Sequence, residues 1–202
     1  MVRPTSETIK LRGGALCLDF ANSADWTAEH ESVEAQDVLL EPDSLERWGE
    51  RLGVVGRPGG PEELQLARGL RDALHVIFSA LARGDEPDEL SVARLRSAYV
   101  EAVAAGSISR REDGGFGLAW SQDDTRRVRF AVAADAVALL ADPARLARLR
   151  RCPGRDCGWL FLDTSGRRTW CSMASCGSRE KMRRMYARKR AAAAPTAGDA
   201  TP

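Results

Sequence analysis

Cys152, Cys157, Cys171 and Cys176 are spaced C-x4-C-x13-C-x4-C near the C-terminal end of a 202-residue chain. Two close cysteine pairs separated by a short excursion suit a tetrahedral thiolate site for zinc. Each pair bends back to present two sulfurs, and the excursion brings the pairs together. Four thiolates leave no position for water, so one structural Zn2+ is expected rather than a catalytic one. An iron–sulfur cluster also takes four cysteines. Pro153 and Gly154 favour a tight knuckle, and the knuckle-and-hairpin pattern that follows points to a single metal ion. Met1 to Lys10 has no apolar run, which predicts no export signal and a cytoplasmic chain. There, paired cysteines bind metal more readily than they form disulfides. The 25 residues from Cys152 to Cys176 are too few for a sufficient core. Metal binding would supply the missing folding free energy, roughly 10–16 kcal/mol in small zinc modules.

The elements that must hold these sulfurs can be read around them. Trp159 to Asp163 reads as a strand, Thr164 to Arg168 as a turn, and Thr169 to Cys171 as the returning strand. Ser172 to Cys176 closes the site. A helix follows from Gly177, with Met182, Met185 and Tyr186 on one apolar face turned toward the core. Ahead of the cysteines, Asp142-Pro143 starts a short basic helix over 145–151.

Charge singles out the same region. Residues 1–144 carry 16 basic and 25 acidic side chains, a net of −9; residues 145–190 carry 14 and 3, a net of +11. Such polarity points to nucleic acid as the partner of the basic part. The alternative is a basic segment packed on the acidic body of the same molecule. Arg167 and Arg168 fall at the hairpin tip, where they can reach a phosphate. Arg179, Lys181, Arg183, Arg184 and Arg188 fall on the last helix, with Lys189 and Arg190 beside them. Phosphate contacts of this kind dominate affinity and carry little sequence information.

The first two-thirds of the chain reads as mainly helical. Residues 15–20 form a short apolar run expected to be a strand. Helices are expected from Ser44 to Leu52, from Pro61 to Gly84, from Pro87 to Gly106 and from Asp124 to Leu140. Their apolar stripes include Leu45 and Trp48; Leu66, Leu70, Leu74 and Phe78; Leu90, Leu95, Tyr99 and Val103; and Val128 and Val132. Asp113-Gly114-Gly115 between two short apolar segments predicts a hairpin. Asp19 and Asn22 follow the first run; they either organise a turn or face a ligand pocket. Cys17 reads as a buried small hydrophobe, His30 and His75 as polar-side residues, and Trp26, Trp48 and Trp120 as core. The chain has no phosphate-binding glycine loop, no helical His pair and no nucleophile elbow, which predicts no enzymatic activity. No apolar stretch is long enough to span a membrane.

The C-terminal residues C-P-x3-C-G-x-L-F-x-D-x-S, then R-R-x-W-C-S-M-x-x-C-G-x-R-x-K, resemble the CGNR zinc finger. The opening Leu16-Cys17-Leu18-Asp19-Phe20-Ala21-Asn22-Ser23 resembles the ABATE domain that usually precedes it. Together the likeness covers about residues 12–190. It implies a stress-response transcription regulator: an ABATE-like sensing or assembly domain over 12–144 and a DNA-binding finger over 145–190; the small residues and prolines of 191–202 predict a disordered tail. Ser178 stands where the family has asparagine. Serine can cap a helix but cannot make the two-point contact to adenine that asparagine can. The expected fold class is α+β, a mainly helical domain with a few short strands plus a zinc-binding knuckle–hairpin–helix module. A homodimer on a palindromic site and a zinc-stabilised protein adaptor are the accompanying alternatives.

Overall fold

In the computed structural model the described residues are 4–26, 32–33, 37–155 and 157–193. His30 and the end of the tail, 194–202, lie outside them. The body is built on α3, Gly60–Arg83. Pro61 and two glutamates open this helix, and Gly84, in the left-handed region at φ 82°, closes it. Its buried side carries Leu64, Ala67, Leu70, Leu74, Ile77 and Phe78, together with Arg71 and His75. Leu66, expected on that stripe, is half exposed. The helices Leu16–Ala21 and Glu89–Ala105 and the strand Leu149–Arg151 all cover α3, so its buried arc is rotated toward Arg71 and His75. His75 is thus fully buried, contrary to its expected polar-side position.

The run at residues 15–20 is not a strand. It forms α1, Leu16–Ala21, a single turn and a half buried almost throughout. A short helix packed on several sides needs apolar residues in every direction, so it shows no 3.6-residue period. Strands β1 (Asp25–Trp26) and β2 (Ser32–Val33) form a minimal antiparallel pair. Helix α2, Ser44–Glu50, places Trp48 edge-on to Phe20 with ring centroids 5.1 Å apart. Helix α4, Glu89–Ala105, is capped by the Asp88 carboxylate, which accepts from the Ser91 amide at 2.9 Å. Leu95, Ala98 and Ala102 face inward, whereas Leu90 and Val103 are exposed. Strands β3 (Ser107–Arg110) and β4 (Phe116–Ala119) form the expected hairpin. Helix α5, Arg127–Leu140, packs against α1 and α4 through Val128, Phe130, Val132, Ala133, Ala136 and Leu139. Trp120 is half-buried and donates its indole N–H to the Ala102 carbonyl at 2.7 Å.

The basic segment departs from expectation in two places. The helix expected over 145–151 is α6, Pro143–Leu146, and the chain then extends as β5, Leu149–Arg151. Strand β6, Leu160–Leu162, pairs antiparallel with β5 and not with Thr169–Cys171. The hairpin therefore precedes the turn at 163–168, and its loop is the Cys152–Cys157 knuckle itself. Leu149, Leu160 and Leu162 join the main core of the body. A π-helical turn, Met173–Gly177, leads into α7, Ser178–Ala193. Met182, Met185 and Tyr186 do share one face, but it is not turned to the core: they are 44%, 38% and 57% exposed.

Arg129 is buried on α5 between Glu63, at 2.7 and 3.0 Å, and Glu101, at 3.0 Å. Burial pushes the Glu63 carboxyl up, and Arg129 opposes that shift. Removing the guanidinium would strand Glu63 in the core. Arg129→Ala should cost about 3–5 kcal/mol of folding stability in urea titrations.

Candidate metal centre

The knuckle brings the four sulfurs together. All four Sγ atoms lie within 4.8 Å of one another. Cys157 and Cys171 are 3.8 Å apart, and Cys171 and Cys176 are 3.6 Å apart. Four sulfurs bound to zinc at 2.3 Å would be separated by about 3.8 Å along each tetrahedral edge. Chemistry and spacing therefore both fit one zinc ion, held by Cys152, Cys157, Cys171 and Cys176. When bound, it would serve as a structural cross-link. The crowding of thiols drives their acidities apart. Hydrogen bonds from Cys157 and Cys171 pull Cys152 down, and sharing with Cys152 and Cys171 pushes Cys157 up. Cys152, Cys157, Cys171 and Cys176 would all bind a dication as thiolates, which would end this competition.

Three local devices shape the sulfur cluster. The Cys152 amide donates to the Trp159 carbonyl at 2.8 Å, and the Cys157 amide to the Gly154 carbonyl at 3.1 Å, which closes the knuckle. A Cβ on Gly154 would lie 3.0 Å from the Cys176 sulfur and 3.4 Å from the Cys152 sulfur, so the knuckle needs glycine there. The Cys171 amide points at the Cys152 sulfur (3.4 Å), and the Arg179 guanidinium at the Cys176 sulfur (3.3 Å). Donors aimed at thiolates stabilise them as ligands.

The body grips the module from the other side. The Asn22 side chain meets Leu160 at both backbone groups. Its Nδ2 donates to the carbonyl and its Oδ1 accepts from the amide, each at 2.8 Å. The Leu162 amide donates to the Gly13 carbonyl at 2.8 Å. Asp19 accepts from the Arg12 and Gly13 amides at 2.6 and 2.7 Å, which fixes the loop that presents that carbonyl. Burial raises the Asp19 pKa, and these amides partly offset the rise. Asp19 and Asn22 thus spend their polar atoms on the loop and on β6. Trp159 donates to Asp25 at 2.9 Å.

His75 contributes a contact that sequence reasoning missed. Its ring stacks on Trp26 at 3.8 Å, and its Nε2–H donates to the Gly158 carbonyl at 3.0 Å. A Cβ at Gly158 would come within 2.8 Å of Trp26. Nothing in a helical period distinguishes this histidine; the glycine after Cys157 is the one local signal of a close approach.

The basic residues divide into two groups. Arg168 is half-buried, stacked over Phe161 at 4.1 Å, and donates to the Arg12 and Cys171 carbonyls at 2.9 and 2.8 Å. Arg167 is exposed at the turn. On α7, Arg183 and Arg184 both pair with Glu180. Lys181, Arg188, Lys189 and Arg190 are exposed and have no acidic partner among the described residues. Ser178 does not cap the helix; its hydroxyl donates to the Met173 carbonyl at 2.9 Å and closes the π-turn. Cys17 is fully buried, its amide donating to Asp135 at 2.8 Å.

A family model described as "ABATE: Putative stress-induced transcription regulator" matches residues 14–143. The chain belongs to the ABATE family. In this ABATE protein a second model, the CGNR zinc finger, matches residues 148–189 and takes in all four cysteines. No curated protein matches the chain. Among the described residues no helix is long and apolar enough to cross a membrane.

Two outcomes are expected here. The purified protein should hold one zinc per chain by elemental analysis, and Cys176→Ser should lose it, while Gly154→Ala should keep the ligands but bind zinc more weakly in a chelator competition. Asn22→Ala strands two buried backbone groups of Leu160. It should cost about 1–3 kcal/mol and speed amide exchange in β6 before that of α3.

Proposed function

We propose that this chain is a DNA-binding transcription regulator of the cytoplasm, without enzymatic activity, whose zinc module presents a basic helix to the nucleic-acid backbone. The observation that carries this reading is α7. Its exposed cations outnumber its single acid, Glu180, and its extensive contacts are with the π-turn rather than the body. Lys181, Arg188, Lys189 and Arg190 are the side chains best placed to replace phosphate counterions. Arg183 and Arg184 would exchange Glu180 for phosphate, and Arg179 and Arg168 hold the frame that aims the helix. The ABATE domain would sense a stress signal or mediate assembly, and a homodimer would suit a palindromic site.

A second reading is a zinc-stabilised protein adaptor. It is favoured by the groove of about 560 Å³ floored by Trp170, Met173, Met182 and Met185. Methionine-rich exposed surfaces adapt to varied partners.

Fluorescence anisotropy with a labelled duplex over a salt series separates the two. DNA binding should weaken steeply with salt, and the Arg188→Ala/Lys189→Ala pair should weaken it on all sequences and lower the salt slope by about two. Absence of binding at low salt would leave the adaptor reading alone.

A further inference from the structure

A cleft of about 400 Å³ beside the knuckle is lined by Arg150, Arg151, Arg167 and Arg168, with Asp163 and Gly166. We infer that this cleft binds a phosphate oxyanion. The β5–β6 register sets Arg150 opposite Phe161, so Arg150 shares a sheet face with the ring on which Arg168 lies. Arg168 is fixed there by bonds from Nε and Nη2 to the Trp170, Arg12 and Cys171 carbonyls, which leave Nη1 out of the network. Arg150 uses Nη1 on the nearby Ala147 and Leu149 carbonyls.

The cleft's one acid, Asp163, offsets a single positive charge. Asp163 directs Oδ1 into its loop, accepting from the Ser165 amide and hydroxyl and from the Arg168 amide at 3.0–3.2 Å. Arg150, Arg167 and Arg168 thus line a cleft that holds a single carboxylate, an excess of positive charge that an anion would relieve. A guanidinium fork pairs with two oxygens at once, and several forks around one cleft can engage the additional oxygens that a phosphate has and a carboxylate lacks. The same chemistry serves a backbone phosphodiester of nucleic acid or a free phosphorylated small molecule.

The zinc-loaded full chain separates these sources. Pyrophosphate is titrated by calorimetry at fixed ionic strength, and a labelled duplex by anisotropy, with wild type and with Arg150→Ala/Arg167→Ala. Both side chains are exposed and lie outside the sulfur cluster. The expected result is a loss of about tenfold or more on at least one probe. Loss of pyrophosphate binding identifies a free phosphorylated ligand. Loss of duplex binding with a salt slope lowered by about two, and no pyrophosphate binding, identifies a backbone phosphate. The Arg150→Gln/Arg167→Gln pair keeps part of the side-chain stem and a polar end without the charge, and must show the same loss if the alanine pair fails to retain zinc. Unchanged affinities in a folded variant, or a wild type that binds neither probe, overturn the inference. Duplex binding lost with Arg188→Ala/Lys189→Ala alone would sink the cleft and keep the helix reading. Pyrophosphate binding lost in the cleft variants, with no duplex binding by any protein, would do the reverse.

Discussion

The convergence of four sulfurs within 4.8 Å is the constraint on which the C-terminal third depends. Residues from the knuckle, the turn beyond β6 and the start of α7 meet there, and no apolar cluster of comparable size holds them together. The local core is Phe161 with the cysteines, flanked by Trp159 and Trp170. So small a core cannot offset the chain entropy of ordering the segment, and a metal cross-link is the remaining term large enough to do so. The position of α7 follows from this. Cys176 lies in the π-turn immediately before the helix, so the ligand set fixes where the helix starts and the Arg179–sulfur contact helps fix its direction.

The module is nevertheless not an appendage. Strand β6 has two edges. One pairs with β5; the other is met by Asn22 and the Gly13 carbonyl, which act together as a substitute strand. An edge satisfied in this way is closed to further pairing. Leu149, Leu160 and Leu162 then enter the main core. The same strand thus serves two structures, with alternate residues committed to the body and to the sulfur cluster. This gives the ABATE opening around Leu16–Ser23 a physical role: its buried polar residues are the clasp. Loss of order in the knuckle would reach His75 and Trp26 through the Gly158 carbonyl, and Asp25 through Trp159.

What could be read in advance follows from how local each determinant is. The grouping of the four cysteines, the opening of a helix at Pro87–Glu89 and the stop at Gly84 depend on neighbours within a few residues, and all were legible. The nature of α1 was not, because six apolar residues carry no period when every side is covered. The partner of β6 was not legible either. Both flanking segments are short, and pairing with β5 rather than with Thr169–Cys171 depends on Gly13 and Asn22 occupying the opposite edge. For α7 the spacing of Met182, Met185 and Tyr186 reveals an amphipathic helix but says nothing of what covers it; the body does not. Asp19 and Asn22 carried two readings in the sequence, and their hydrogen bonds place them in the turn and the clasp.

The manner of docking also explains why the charge asymmetry persists in the folded chain. A basic segment of net +11 beside a body of net −9 could have been held by ion pairs. The ion pairs described instead lie within the body, as at Arg129–Glu63, or within α7, as at Arg184–Glu180. Across the junction the bonds are formed by amides, carbonyls, an asparagine, an indole and a histidine, with Asp25 and Arg168 also contributing. Neutral groups lose less on burial than charges do, so this junction can be dry and specific without consuming the arginines. Had the acidic body neutralised them, any anionic partner would have had to compete with a tethered carboxylate at high local concentration. Docking through backbone groups leaves the field of the module intact, and a charge that is not used to hold the fold remains available to recruit a ligand.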